Sequence, residues 1–417
     1  MPQEAGIDTT DPQPEPHRFP CAQCGASLEY APGTDALRCT HCGYENRVAA
    51  VAAPILEQDF RATLRELASA APSRENIAIH CDSCGASYSF DAAAHAGQCP
   101  FCSSPAVAKT EQHRQLQPQA LLPFKIVRDQ ARASFRSWLG KLWFAPGGLK
   151  DYARNDARLT GMYVPYWTYD ADTATRYQGE RGDNYQVQEV YRTIEQGREV
   201  ERVRVVTKIR WTPVAGRVSR FFDDVLVLAS RSLPQAVTER LEPWDLAHLK
   251  PYREEYLSGF QSEMYQVPLD QGFERAQEIM ANVIRGDIAR DIGGDHQRVL
   301  AADTRYGEIR FKHILLPVWM SAFRFRDKIY RFVVNGRTGE VQGERPYSRW
   351  KIAFAILLAA ALIGGGFALW QRYGAVQHTP PWPGTRMDYG WLSPDVSIHP
   401  LPPTPSHAGE GEVIVAA

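Results

Sequence analysis

The chain has 417 residues, 44% of them hydrophobic, which is more than one ordinary domain and enough for a real core. A formal net charge of −1 excludes a globally basic nucleic-acid or membrane-surface binder. The layout is uneven: residues 1–115 carry eight Arg/Lys against fourteen Asp/Glu, 373–417 carry one Arg against four acids, and the stretch between is about +8.

Met1 is followed by a polar, Pro-rich acidic run, so 1–18 is expected to be disordered and not a secretory leader. All eight cysteines then fall between Cys21 and Cys102. They read Cys21-Ala-Gln-Cys24 and Cys39-Thr-His-Cys42, then Cys81-Asp-Ser-Cys84 and Cys99-Pro-Phe-Cys102. Fourteen residues separate the inner cysteines of each set, and the second set repeats the first sixty residues on, with Cys24-Gly-Ala-Ser matching Cys84-Gly-Ala-Ser. Tyr30 aligns with Phe90. Two CxxC turns joined by a hairpin offer four thiolates to one tetrahedral ion, so two structural Zn2+ sites are expected. Gly25, Gly43 and Gly85 follow three of the pairs, where a knuckle favours positive φ; Ser103 follows the fourth. A redox CxxC comes singly beside a βαβ pattern, and disulfides need an oxidising compartment; neither fits. His41 and His95 lie inside the loops and are expected on the surface. Four thiolates leave no open position, so the sites are structural, and in so small a module metal binding supplies most of the folding free energy. With Lys109 the only lysine before residue 116, and about −2 at each loaded site, the ribbons disfavour nucleic acid and favour protein contact.

Ribbon 1 is assigned to 19–48 and ribbon 2 to 77–108. Between them 49–76 reads as a helical linker, with Ile55, Leu56, Phe60, Leu64 and Leu67 near helical spacing. An α+β domain with an antiparallel sheet is expected over 116–346. A helix over 127–144 stops at Pro146-Gly147-Gly148. An aromatic strand follows, Tyr163-Val-Pro165-Tyr-Trp167-Thr-Tyr169. Residues 201–211 alternate, with Val203, Val205, Ile209 and Trp211 opposite Arg202, Arg204, Lys208 and Arg210, which predicts a half-buried antiparallel strand. A second helix is predicted at 269–292, then strands through Leu315–Trp319, Phe325 and Ile329–Val334. The Asn335-Gly336-Arg-Thr-Gly339 turn returns the chain onto Glu340–Gly343. Each half runs helix then Pro-x-Trp and contains Gln-Gly-Glu-Arg, a loose echo at unequal offsets. The cationic strand face reads as a solvated sheet face, with anionic lipid or an acidic partner as the functional alternative.

Ile352 to Trp370 is nineteen residues without a charge, about 28 Å as a helix, bracketed by Trp350 and Trp370 with Tyr347 and Tyr373 beyond. A single transmembrane helix is expected at 350–372. Arg331, Arg337, Arg345, Arg349 and Lys351 precede it, and only Arg372 and Arg386 follow closely, which predicts a cytoplasmic N-terminal side and an inner-membrane location. Reduced cysteines require the same side. Ala360/Gly364 and Ala361/Gly365 give small-xxx-small spacing for a helix partner. Residues 373–417, with eight prolines and no period, are expected to be a disordered extracytoplasmic tail.

The sequence has no P-loop, no G-x-S-x-G, no H-E-x-x-H and no G-x-G-x-x-G. Asp223-Asp224 and Glu254-Glu255 are adjacent acids, which point to opposite faces of a strand, and His313 lacks a sequence partner. No catalytic residue and no organic cofactor are expected. The cysteines, the VPYW strand and the run LLPVW…YRFVVNGRTGEVQGERPYSRWK resemble bacterial membrane-anchored tandem zinc-ribbon (TFIIB-type zinc finger) proteins, over most of 19–372. Members often carry the label primosomal protein N′ (replication factor Y), a superfamily II helicase, whose motor motifs are missing here. The resemblance implies a metal-binding role for the eight cysteines and an envelope-stress anchor acting beside SPFH-domain or phage-shock-type proteins. The expected function is a non-enzymatic membrane adaptor that recruits cytoplasmic or membrane proteins. Its rivals are a nucleic-acid-associated ribbon protein without its own motor, and an enzyme sited around strands 163–170 and 315–326.

Overall fold

The computed structural model describes residues 19–49, 54–69, 76–89, 96–102, 104–111, 116–142, 159–195, 198–325, 328–344 and 349–374. The arm 1–18, the tail beyond Gly374, and Phe90, His95, Ser103, Arg345 and Tyr347 lie outside the described residues. In chain order, β1 (Leu28–Tyr30), β2 (Ala36–Cys39) and β3 (Glu45–Arg47) form a three-stranded sheet of their own. Next come β4 (Gln58–Asp59), α1 (Phe60–Ser69), β5 (Asn76–His80), β6 (Ser87–Ser89), β7 (Ala96–Gln98) and β8 (Pro105–Glu111). After β9 (Ala120–Leu121) and α2 (Arg128–Gly140) the long strands begin: β10 (Thr160–Glu195) and β11 (Arg198–Leu228). A turn region with α3 (Gln235–Thr238), β12 (Lys250–Pro251) and β13 (Gln261–Glu263) leads to α4 (Leu269–Ile292). The rest is β14 (His296–Phe325), β15 (Lys328–Asn335), β16 (Val341–Gly343) and α5 (Arg349–Gly374).

The frame is an antiparallel sheet in the order β11, β10, β14, β15, β16. Ordinary strands run about five or six residues; β10 has 36, β11 has 31 and β14 has 30. At about 3.3 Å per residue β10 reaches on the order of 100 Å. Its sequence divides it into three zones. From Gly161 to Asp170 every residue is buried, because Met162, Val164 and Tyr166 pack on one face and Tyr163, Trp167 and Tyr169 on the other. From Ala171 to Gln178 burial alternates, with Ala171, Thr173, Thr175 and Tyr177 inside and Asp172, Ala174, Arg176 and Gln178 outside. β14 begins at His296, opposite Gly182. Beyond that point β10 and β11 continue as a two-stranded ribbon with mostly exposed side chains.

That ribbon corrects one expectation. Residues 201–211 are a strand with the predicted faces, but it is not half-buried: Val203 and Val205 are each 60% exposed, and Val190, opposite Val203, is 63% exposed. Alternation alone cannot say whether a partner covers the apolar face.

α4 covers the middle zone. Leu269, Phe273, Ala276, Met280, Ile284, Ile288 and Ile292 recur at helical spacing and pack on Trp167, Tyr169, Ala171, Tyr177 and Phe222. Burying the Leu, Ile, Met and Phe side chains among these contributes about 1.5–3 kcal/mol each. The helix start is pinned by Trp167 Nε1 donating to Val267 O (3.0 Å) and Tyr169 Oη donating to Leu269 O (2.7 Å). Gly272 permits this approach, since a Cβ there would run into the Tyr169 hydroxyl and Trp167. Gly293, at φ +65°, ends the helix.

The chain divides into one unit over 1–352 and a second over 353–417. In α5, the stretch Trp350–Arg372 is 23 residues long and, by length and composition, apolar enough to cross a membrane; none of its most apolar window is buried.

Candidate metal centres

Each cysteine set closes into a four-sulfur cage. Sγ of Cys21 lies 3.6 Å from Cys42 and Cys24 lies 3.5 Å from Cys39. In the second site Cys81–Cys102 is 3.5 Å and Cys84–Cys99 is 3.7 Å. Within each set all four sulfurs are within 4.8 Å of one another. A disulfide needs about 2.0 Å, whereas four sulfurs about 2.3 Å from one ion in a tetrahedron sit about 3.8 Å apart. The geometry therefore fits a divalent ion held by four cysteines and does not fit disulfides.

The knuckles are built the same way twice. Cys21 N donates to Ala26 O (2.7 Å) and Gly25 N to Cys21 O (2.9 Å); Cys81 N donates to Ala86 O (2.9 Å) and Gly85 N to Cys81 O (2.8 Å). Gly25, Gly43 and Gly85 have φ of +72°, +76° and +75°, a region costly for any residue with a Cβ. Backbone N–H groups also point at sulfur: Gln23 N donates to Cys21 Sγ (3.4 Å) and Cys42 N to Cys39 Sγ (3.5 Å). The Cys42 N–H heads the contacts that pull the Cys39 thiol down to about 6. Hydrogen bonding from Cys99 leads those that pull Cys84 down to about 5. Burial and the neighbouring thiols push Cys42 up, and hydrogen bonding to Cys84 together with burial pushes Cys99 up, so each cage pairs a thiol shifted down with one shifted up. A bound ion would be held by four thiolates with no open position, so it would supply folding and not chemistry at a substrate.

The two centres sit on opposite faces of the central sheet. Strand register places Tyr163 with Pro317, and Trp319 with Val334, on one face; Val164 with Leu316, and Met320 with Val333, on the other. Leu28, Tyr30 and Leu37 of the first ribbon join Tyr163, Phe124 and Trp319 in one core. Its contact is fastened by Tyr30 N donating to Ser258 O (2.9 Å) and Ser258 Oγ donating to Leu28 O (2.6 Å). Cys81, Tyr88, Cys99, Phe101 and Cys102 of the second ribbon join Val164, Leu316 and Val333 in another. β6 also pairs with β13, which pairs with β10, so the second ribbon is continuous with the main sheet. Exposure follows: Cys24 and Cys42 are exposed, whereas in the second site Cys81, Cys99 and Cys102 are buried and Cys84 is half-buried. His41 is exposed and outside the sulfur cage.

A third cluster escaped the sequence reading. Asp170, Asp223 and Asp224 bring their oxygens within 4.8 Å of one another. The register slips at Asp170 against both neighbouring strands, and Asp224 takes φ +51°, so adjacent acids no longer point to opposite faces. Asp224 N donates to Asp170 Oδ1 (2.6 Å). Lys312 Nζ sits among them, 2.6 Å from Asp224, 3.1 Å from Glu57 and 3.9 Å from Asp170. Burial raises the Asp170 carboxyl to about 6, against the opposing pull of Lys312. The ammonium stands where a cation would, so the cluster reads as a buried ion-pair network. No periodicity announces such a bulge. His313 is a core histidine: its Nδ1 is 2.9 Å from Leu116 O, and its ring is 4.7 Å from that of Trp167.

No protein-family model matches the chain, and no solved structure matches it. It is similar to a Bacillus subtilis (strain 168) protein described as uncharacterized protein YdjG, at 26% identity over 268 residues, covering 60% of this chain and 74% of that one.

Proposed function

We propose that the chain is a non-enzymatic, single-pass inner-membrane adaptor whose two zinc ribbons, on the cytoplasmic side, help recruit protein partners, including SPFH or phage-shock-type proteins in envelope stress. The observation that carries the reading is the closure of both four-cysteine cages: four sulfurs around one point leave no position open for a substrate. The apolar 23-residue helix supports the anchor, and the cationic flank before it supports the orientation. The first ribbon is the better recruiter, because its outer knuckle exposes His41, Tyr44 and Glu45 while the second ribbon is packed into the core.

The test is a pull-down from gently solubilised membranes, comparing wild type with His41→Ala/Tyr44→Ala, which leaves the ligands intact. Loss of specific partners in the variant supports recruitment by this knuckle; an unchanged partner list removes it. One observation favours the nucleic-acid reading: the ribbon face bearing Arg202, Arg204, Lys208 and Arg210 also carries Tyr185 and Tyr191, and a two-stranded ribbon can enter a major groove. Glu189 already pairs with Arg204 (3.1 Å) and Lys208 (2.8 Å), which weakens it. Binding of duplex DNA by the full chain at physiological salt, with a steep salt slope, would favour that reading.

A further inference from the structure

The two cysteine cages repeat one design sixty residues apart, and what differs between them is their cover. In the first, Cys24 and Cys42 are exposed, and so are Gln23, Gly25, Thr40, His41 and Gly43 beside them. In the second, the aligned Cys84 is half-buried and Cys102 is 1% exposed. Phe101, which stands where His41 does, is fully buried in the same core as Tyr88, and its carbonyl accepts from Arg331 Nε (2.9 Å). Gln266 Nε2 donates to Gly85 O (3.3 Å) and braces the other knuckle. Each exposed cysteine of the first cage also has a buried one of the opposite knuckle close by. Cys42 lies 3.6 Å from Cys21, and Cys24 lies 3.5 Å from Cys39, sulfur to sulfur. Oxidation of sulfur follows thiolate character and exposure. Four metal-bound thiolates give both cages the first property, and the first cage alone combines it with open cysteines.

We propose that Cys24 and Cys42 form an oxidant-sensing modification site, at which a peroxide unloads the first ribbon and leaves the second intact. The exposed thiolate attacks a peroxide oxygen, the O–O bond breaks and hydroxide leaves, giving a sulfenic acid. The buried thiolate beside it then attacks that sulfur, the S–O bond breaks and a second hydroxide leaves. Two thiolates are oxidised to one disulfide by two electrons, and one peroxide is reduced to two hydroxides. The disulfide takes two of the four donors away from a structural site that needs all four. Gln23, His41 and Tyr44 are then no longer set by metal, so the docking knuckle is lost while the second cage holds the main core. A thiol reductant reverses the bond, as a reducing compartment requires. The loss of docking rests on the recruiting role proposed above; the oxidation step does not.

The test exposes the zinc-loaded full chain in nanodiscs to hydrogen peroxide. Released zinc is followed with a chromogenic chelator and disulfides by peptide mass mapping. One zinc should leave at least about tenfold faster than the other, in step with a Cys21–Cys42 or Cys24–Cys39 bond and with free thiols retained at Cys81, Cys84, Cys99 and Cys102. In Cys24→His/Cys42→His, which keeps a full set of metal donors and removes the two exposed thiols, the fast phase should slow by about tenfold or more. Release of both ions together, release from the second cage first, release without a disulfide in the first, or an unchanged fast phase in the zinc-loaded variant each overturns the proposal. A chain that has lost the fast zinc yet captures the same partners as the untreated one overturns the recruiting knuckle and not the oxidation step.

Discussion

Asn335 and Gly336 show how a local signal is locked by distant contacts. Asn335 is fully buried; its Nδ2 donates to Leu241 O (2.9 Å) and its Oδ1 accepts from Arg337 N (2.8 Å) and Thr338 N (3.1 Å). Removing the amide orphans several of these groups, so Asn335→Ala should lower stability by about 2–3 kcal/mol, measured by denaturant unfolding. Gly336 packs so closely on Pro317 O and Phe124 that a Cβ would lie 2.7 and 2.8 Å from them. His313 gives a pH signature. Full desolvation lowers its pKa from 6.5 to about 4. As pH falls below 6.5 the unfolded chain takes up a proton that the native chain refuses until about 4, so stability drops across that window and levels off below it. His313→Gln should flatten this part of the stability profile, seen as a smaller fall in unfolding midpoint between pH 6.5 and 4. The Asn-Gly turn is legible because its cause is local. The Asp170 cluster is not, because a bulge created by three-strand register decides where Asp223 and Asp224 point.

At the scale of elements, α4 is the clearest sequence signal, since its apolar stripe is continuous over 24 residues. Met280 is fully buried under it, so Met280→Ala should cost about 2–5 kcal/mol. The β10–β11 ribbon is the opposite case. Two strands alone are marginal in water, and its distal part contributes little to the packed cores. Replacing Gln188–Val205 with a two-residue Asn-Gly turn keeps the Val187–Val206 pair and should leave the thermal midpoint within about 2 °C. The ribbons themselves differ in the same way. Cys81→Ser opens a site embedded in the main core, and Cys24→Ser opens one with two exposed cysteines. The first should lower the midpoint of the whole domain, and the second should chiefly release metal from the first ribbon.

For the whole molecule, the cysteine spacing made both cages readable, because four thiolates and a knuckle glycine are a local code. Their placement was not readable. It depends on pairing Tyr163 with Pro317 and Val164 with Leu316, residues far apart in the chain whose register assigns one ribbon to each sheet face. The account makes the metal part of the scaffold: without it, Cys81, Cys99 and Cys102 would be bare sulfurs in a core beside Val164 and Leu316. Elemental analysis of the full chain purified from membranes, combined with a thiol count after chelation, tests this most directly. The account predicts two zinc ions per chain and eight titratable thiols, with cooperative unfolding weakened once the metal is stripped. A folded, metal-free chain, or one whose cysteines are paired as disulfides, would contradict it.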